Sequence, residues 1–329
     1  MGISATICLV VVILDTKTAI NGAIDGLNLS LKVVIPSLFP LMIITILISS
    51  SFTGIHIPIM NPVNRLCGIP QGAESIFLLG FIGGYPVGAR SVENAYRNGY
   101  LSAENAARML GFCNNAGPAF IFGMLYNLFN TKAPLWTLWA IHIFSSILTA
   151  VILPKNKTEI CKMKEMKTLS LPDAVSGSIK TMSLICGWVL IFRVLISFLR
   201  KWFLWLLPKA LQSVLIGLLE LTNGCVYLNE LPSPGARFVL CAVLLAFGGL
   251  CVAMQTVSAT ENIGIGLYFP GKLIQSLISF LLAVFTQYFL FDRYEILNIP
   301  VPTYCTVLLF LVVVVIFVNR SKKVVAIPI

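Results

Sequence analysis

The chain has 329 residues, 57% of them hydrophobic and 11% charged, with a net charge of +10 and a mean hydropathy of +0.91. A soluble domain of this length would carry about a quarter charged residues, and a transmembrane barrel would show short alternating segments; composition therefore predicts an all-α polytopic membrane protein. Lys155, Lys157, Lys162, Lys164 and Lys167 crowd one loop, and Arg320, Lys322 and Lys323 stand near the C-terminus, which reads as positive-inside topology rather than as a nucleic-acid surface.

In chain order, Ile3 to Leu14 has the length of a signal h-region, but no Lys or Arg precedes it, so a retained span over about Ile3–Ile20 is expected. Gly22 to Lys32 suggests an interfacial amphipathic helix, and Val33 to Phe52 a span punctuated by Pro36 and Pro40. Ser75 to Gly83 is too short to cross a bilayer. It runs into Gly83-Gly84-Tyr85-Pro86 and then a polar helix through Arg90, Glu93 and Arg97, which predicts a re-entrant hairpin over about 73–98. Ser102 is a candidate N-cap for a helix over about 103–129, interrupted at Asn114 to Pro118. A span follows over about Pro134–Leu153.

The lysine-rich linker, about 154–172, divides the chain into units of 1–153 and 173–329. The second opens with a span over about Val175–Leu199. A hairpin over about 211–229 is expected to break at Thr222-Asn223-Gly224, and a helix over about 237–260 breaks at Gly248-Gly249. Spans over about Leu267–Phe291 and Tyr304–Val318 complete a count of about eight plus two hairpins. Ala23-Ile24-Asp25-Gly26 aligns with Ala174-Val175-Ser176-Gly177, and each is followed by a long apolar helix, a hairpin and a broken span. With the lysine-rich loop in the cytoplasm, the two hairpins enter from opposite faces, as an inverted-topology repeat requires.

Matching helix breaks in two halves are the sequence signal for a secondary transporter's midplane site. A broken helix leaves free N–H groups at one end and free C=O groups at the other, and the positive end suits an anionic or polar group. Gly84, Tyr85, Asn114, Asn115, Asn223, Gly249 and Gln255 are accordingly the candidate substrate-binding residues. Arg193 joins them because a guanidinium matches a carboxylate bidentately. Glu220 stands in the apolar run Leu218-Leu219-Glu220-Leu221; with Thr222 it is the candidate site for a coupling Na+ or H+, unless Arg193 and Glu220 form a structural pair. Nine cysteines without ligand spacing and two isolated histidines suggest no metal. There is no Walker A motif, no Ser/His/Asp arrangement and no paired carboxylates, so neither an enzyme nor a cofactor is expected. The expected partners are a small-molecule substrate and the lipid bilayer, with homo-oligomerisation left open.

At several blocks the chain resembles the YlbJ or SpoVV type of sporulation integral membrane protein. That family carries the nucleoside-recognition (Gate) domain and is similar in layout to concentrative nucleoside transporters. The blocks are Gly26, Pro36-Ser37-Leu38-Phe39-Pro40, Gly84 to Ala89, Asn114 to Pro118 with Phe120 to Gly123, Gly217 to Thr222, and Phe247 to Leu250 with Gln255. The resemblance implies a transporter moving dipicolinate across a mother-cell-derived forespore membrane. Alternatives are a cation-coupled nucleoside transporter and a non-transporting scaffold of the spore envelope. Where the resemblance leads one to expect Ser-Val-His-Ala-Gln, the chain reads Cys251-Val252-Ala253-Met254-Gln255, without the histidine.

Overall fold

The computed structural model describes residues 2–155 and 169–288; most of the lysine-rich linker and the expected Tyr304–Val318 span lie outside them. The described residues form an all-helical protein with no strand. Helix α1 (Gly2–Leu14) ends where Asp15 caps α2 (Thr16–Leu29), its carboxylate accepting the Thr18 N–H at 3.3 Å. The expected first span is thus split at Asp15. The expected interfacial helix is instead the start of one 37-residue helical run, Thr16–Phe52. Within that run a π-helical turn, Ser30–Val34, joins α2 to α3 (Ile35–Phe52). Pro36 lacks the N–H that a regular ladder needs, and a one-residue expansion just before it absorbs the mismatch.

A short helix, α4 (Asn61–Cys67), precedes the first hairpin, α5 (Glu74–Ile82) and α6 (Val87–Arg97). Ser102 caps α7 (Ala103–Cys113), whose chain breaks over residues 114–118. It resumes as a π turn, Ala119–Met124, and α8 (Tyr126–Phe129) before α9 (Ala133–Ile152). Next comes α10 (Leu171–Trp202), opened by a reciprocal Ser170–Asp173 capping box. The second hairpin is α11 (Lys209–Leu219) and α12 (Leu221–Leu228). Then come α13 (Pro234–Phe247), α14 (Gly249–Ala259) and α15 (Tyr268–Thr286).

Five described helical runs are long and apolar enough to cross a membrane: Thr16–Phe52, Ala133–Ile152, Leu171–Trp202, Pro234–Ala259 and Tyr268–Thr286. The long helices α2 and α3 pack along α10, while α7, α9 and α13 converge on α15. The most apolar stretch of Pro234–Ala259 is 89% buried and that of Thr16–Phe52 only 17%, so among the described residues the broken helix α13–α14 is central and α2–α3 peripheral. Large apolar side chains such as Ile44, Phe144, Ile191 and Phe285 face outward; so much exposed apolar surface on long helices is what a lipid environment accommodates.

Candidate functional site at the hairpin tips

Both hairpins are held by glycines at contacts that admit no side chain. A Cβ added at Gly80 or at Gly88 would lie 2.0 Å from the Cys113 carbonyl oxygen, and one at Gly224 would lie 2.2 Å from Gly217 Cα. The first tip, at Gly84 with φ +74°, rests on the first helix break, where a Cβ would lie 3.1 Å from Gly117 N. The second tip rests on the second break: Gly248 and Gly249 have φ of +83° and +82°, and a Cβ at Gly249 would lie 2.9 Å from Gly217 O.

The two tips and both broken helices surround one cavity of about 60 Å³. Its polar groups come from Ser37, Glu220, Thr222 and Gln255, with Gly84, Tyr85 and Gly117 contributing backbone and ring. A wider chamber of about 600 Å³ shares Val33, Ser37 and Phe120 with it and is walled further out by Lys32, Asn127 and Asn229.

The second hairpin reverses at Glu220, whose φ of −144° and ψ of 116° are extended. It does not break at Thr222-Asn223-Gly224, which lie inside α12. Glu220 caps that helix: its two carboxylate oxygens accept the Thr222 N–H at 3.0 Å and the Asn223 N–H at 2.7 Å, and also the Asn223 side-chain amide at 2.6 Å. The positive end of α12, a candidate anion site by the sequence, is therefore filled by the chain's own carboxylate. Arg193 does not pair with Glu220. It donates to Asn223 Oδ1 and reaches Asp25 at 3.3 Å, so Asp25, Arg193, Asn223 and Glu220 form one chain of charge-assisted contacts.

Of the residues singled out by the sequence, Gly84, Tyr85, Glu220, Thr222 and Gln255 line the cavity; Asn114, Asn115, Asn223, Gly249 and Arg193 stand behind it. Tyr85 is pinned, its hydroxyl donating to Leu245 O at 2.6 Å. Asn114 accepts the Ala89 N–H at 3.4 Å and donates to Thr256 Oγ1 at 2.8 Å, tying the first break to α6 and α14. Asn115 donates to Phe112 O at 2.7 Å and accepts from Gln275 Nε2 at 2.9 Å. Gln255 donates to Cys251 Sγ at 3.4 Å. Ala253, where a histidine was expected, is buried and outside the cavity wall.

Sequence reasoning passed over His142, whose Nε2 accepts the Ala116 N–H of the first break at 3.0 Å, and Lys272, fully buried on α15. The signal for Lys272 was available: a lone charge in the apolar run Leu267–Phe291 meets the criterion that picked out Glu220.

No family model matches the chain, and no solved structure matches it. It is 24% identical over 314 residues to the sporulation integral membrane protein YlbJ of Bacillus subtilis (strain 168), an alignment covering 80% of this chain and 76% of that protein. The chain is thus a multi-helix integral membrane protein similar, over most of its length, to the YlbJ type that its motif blocks resemble.

Proposed function

We propose that the protein is a secondary transporter of a small anionic or polar metabolite, working by alternating access between two repeats of inverted topology. The observation carrying this reading is the cavity formed jointly by both hairpin tips, Gly117 of the first break and Gln255 just past the second, with an intramembrane carboxylate in its wall. Transporters place cargo near the midplane where discontinuous helices meet, and irregular backbone is tolerated at membrane depth where it lines such a space. The order of elements supports the repeat: α2–α3, α5–α6, the broken α7–α8 segment and α9 are matched by α10, α11–α12, the broken α13–α14 and α15.

Dipicolinate is the first candidate cargo, by resemblance, and the forespore membrane the proposed location. Glu220, with the Thr222 hydroxyl beside it, is proposed to hold the coupling Na+ or H+. This reading calls on no enzyme chemistry and no cofactor beyond the ion. A cation-coupled nucleoside carrier is the second reading; the cavity's carboxylate and amide, with no cationic side chain in its wall among the described residues, suit a hydroxyl-bearing neutral solute. Uptake of labelled dipicolinate and of labelled nucleosides into proteoliposomes, with and without Na+ and pH gradients, decides between them. Uptake of neither, by protein shown to be folded, favours the scaffold and ends the carrier reading.

A further inference from the structure

Lys272 has no solvent exposure. Its ammonium donates to Gln275 Oε1 at 2.8 Å and to Asn115 Oδ1 at 3.4 Å, both neutral, and lies 5.5 Å from the centroid of the Tyr85 ring. Among the described residues no carboxylate comes within ion-pair distance of it. The neighbouring imidazole of His142 is uncharged where it accepts from Ala116, and its Nδ1 has no partner. A buried cation lacking a counter-charge is costly, and at bilayer depth it marks function by default.

Tyr85 forms part of the cavity wall and Lys272 does not; the ammonium packs on that wall from outside. The face of an aromatic ring is its negative side and favours a cation there. Arg193, a partly exposed cation near the site, is already engaged by Asp25 and Asn223. We propose that Lys272 and Glu220 together set the charge selectivity of the cavity: Glu220 lines it directly, while Lys272 acts across Tyr85 as the positive charge that lets an anionic cargo sit beside a carboxylate. Lys272 is thus a specificity residue acting through another side chain. With water excluded, a unit charge about 9 Å from a cargo carboxylate, at an effective dielectric of about 20, alters affinity on the order of tenfold.

This inference rests on the carrier reading, and its test separates the two. Binding of pyridine-2,6-dicarboxylate and of the uncharged pyridine-2,6-dicarboxamide to the full chain in nanodiscs is measured by calorimetry, alongside uptake of dicarboxylate and uridine into liposomes. The expected result is a wild-type preference for the dicarboxylate that falls about tenfold in Lys272→Gln, survives in Lys272→Arg and rises in Glu220→Gln. Lys272→Met, uncharged and of similar length, replaces Lys272→Gln if the latter is not monodisperse. An unchanged preference in the neutral variants, or equal weakening of both probes, overturns the proposal because only packing was lost. Wild-type protein that takes up uridine but does not prefer the dicarboxylate also overturns it and leaves the carrier reading standing. Uptake of neither solute removes both.

Discussion

Glu220 serves two purposes with one carboxylate. It closes the amino end of α12 and faces the cavity. In Glu220→Gln one oxygen still caps α12, while the charge that interacts with the helix dipole and any coupling cation is gone. Gradient-driven uptake should therefore fall steeply while the elution profile stays that of folded protein; accumulation at the wild-type level would remove Glu220 from the coupling site. Asn223 is the joint between Glu220 and Arg193. Asn223→Ala should destabilise by about 1–3 kcal/mol, because both charged partners lose a buried contact; the measurement is the unfolding midpoint in mixed detergent, and an unshifted midpoint would show that the joint carries no stability. The sequence marked Glu220 and Arg193 as exceptional charges, since neither belongs in an apolar run. Their lack of direct contact was not legible, because it depends on where the hairpin reverses, and a shift of two or three residues redirects every side chain at the tip.

At the scale of elements, three of the four breaks stood in the sequence because they are built from residues that stop helices: Gly83-Gly84-Tyr85-Pro86, Asn114 to Pro118, and Gly248-Gly249. The fourth misled. Thr222-Asn223-Gly224 are weak helix formers, yet they lie within α12 and the chain reverses at Glu220. The reason is packing. Gly217 and Gly224 stand on either side of the turn, and their contact brings the two arms together without intervening side chains, the small-residue packing that membrane helices favour. Gly224→Ala should accordingly be among the most damaging single-methyl changes: its Cβ would sit 2.2 Å from Gly217 Cα, and overpacking of this kind costs about 1–3 kcal/mol or more. Gly123→Ala, which meets nothing within 4 Å, is the matched control, and equal midpoints for the two variants would refute the packing account. The long Thr16–Phe52 run was divided in the sequence reading, which took Gly22 to Lys32 as an interfacial amphipathic helix; the run carries two charges there, Asp25 and Lys32. The fold tolerates them where Asp25 finds Arg193 and Lys32 faces the chamber.

Among the described residues the cavity adjoins a wider chamber, and ties between the two halves lie elsewhere. The chamber leads outward past Lys32 and Asn229. Elsewhere α6 of the first hairpin is fastened to the second half: Arg90 donates to Thr181 on α10, and Glu93, buried, accepts from Asn262 beyond α14 at 2.7 Å. A carrier that alternates must break such ties to open the opposite side, and the population of each state follows the free-energy difference between them. Asn262→Ala leaves the Glu93 carboxylate with Arg97 at 3.7 Å as its remaining ion-pair contact. That weakens the closed side by about 1–3 kcal/mol, a shift of roughly 5- to 150-fold in the equilibrium. The reporter is Ser37→Cys, at the junction of cavity and chamber; among the described residues its hydroxyl donates to Val33 O and Val34 O of its own helical run, so a thiol is tolerated. In the wild-type background a membrane-impermeant maleimide should label it from the chamber side, and cargo should slow the reaction. With Asn262→Ala added, labelling from that side should slow and labelling from the opposite side should appear. Labelling from the chamber side alone, at an unchanged rate in both backgrounds, would show that the Glu93–Asn262 contact is a static strut and that the cavity opens one way only.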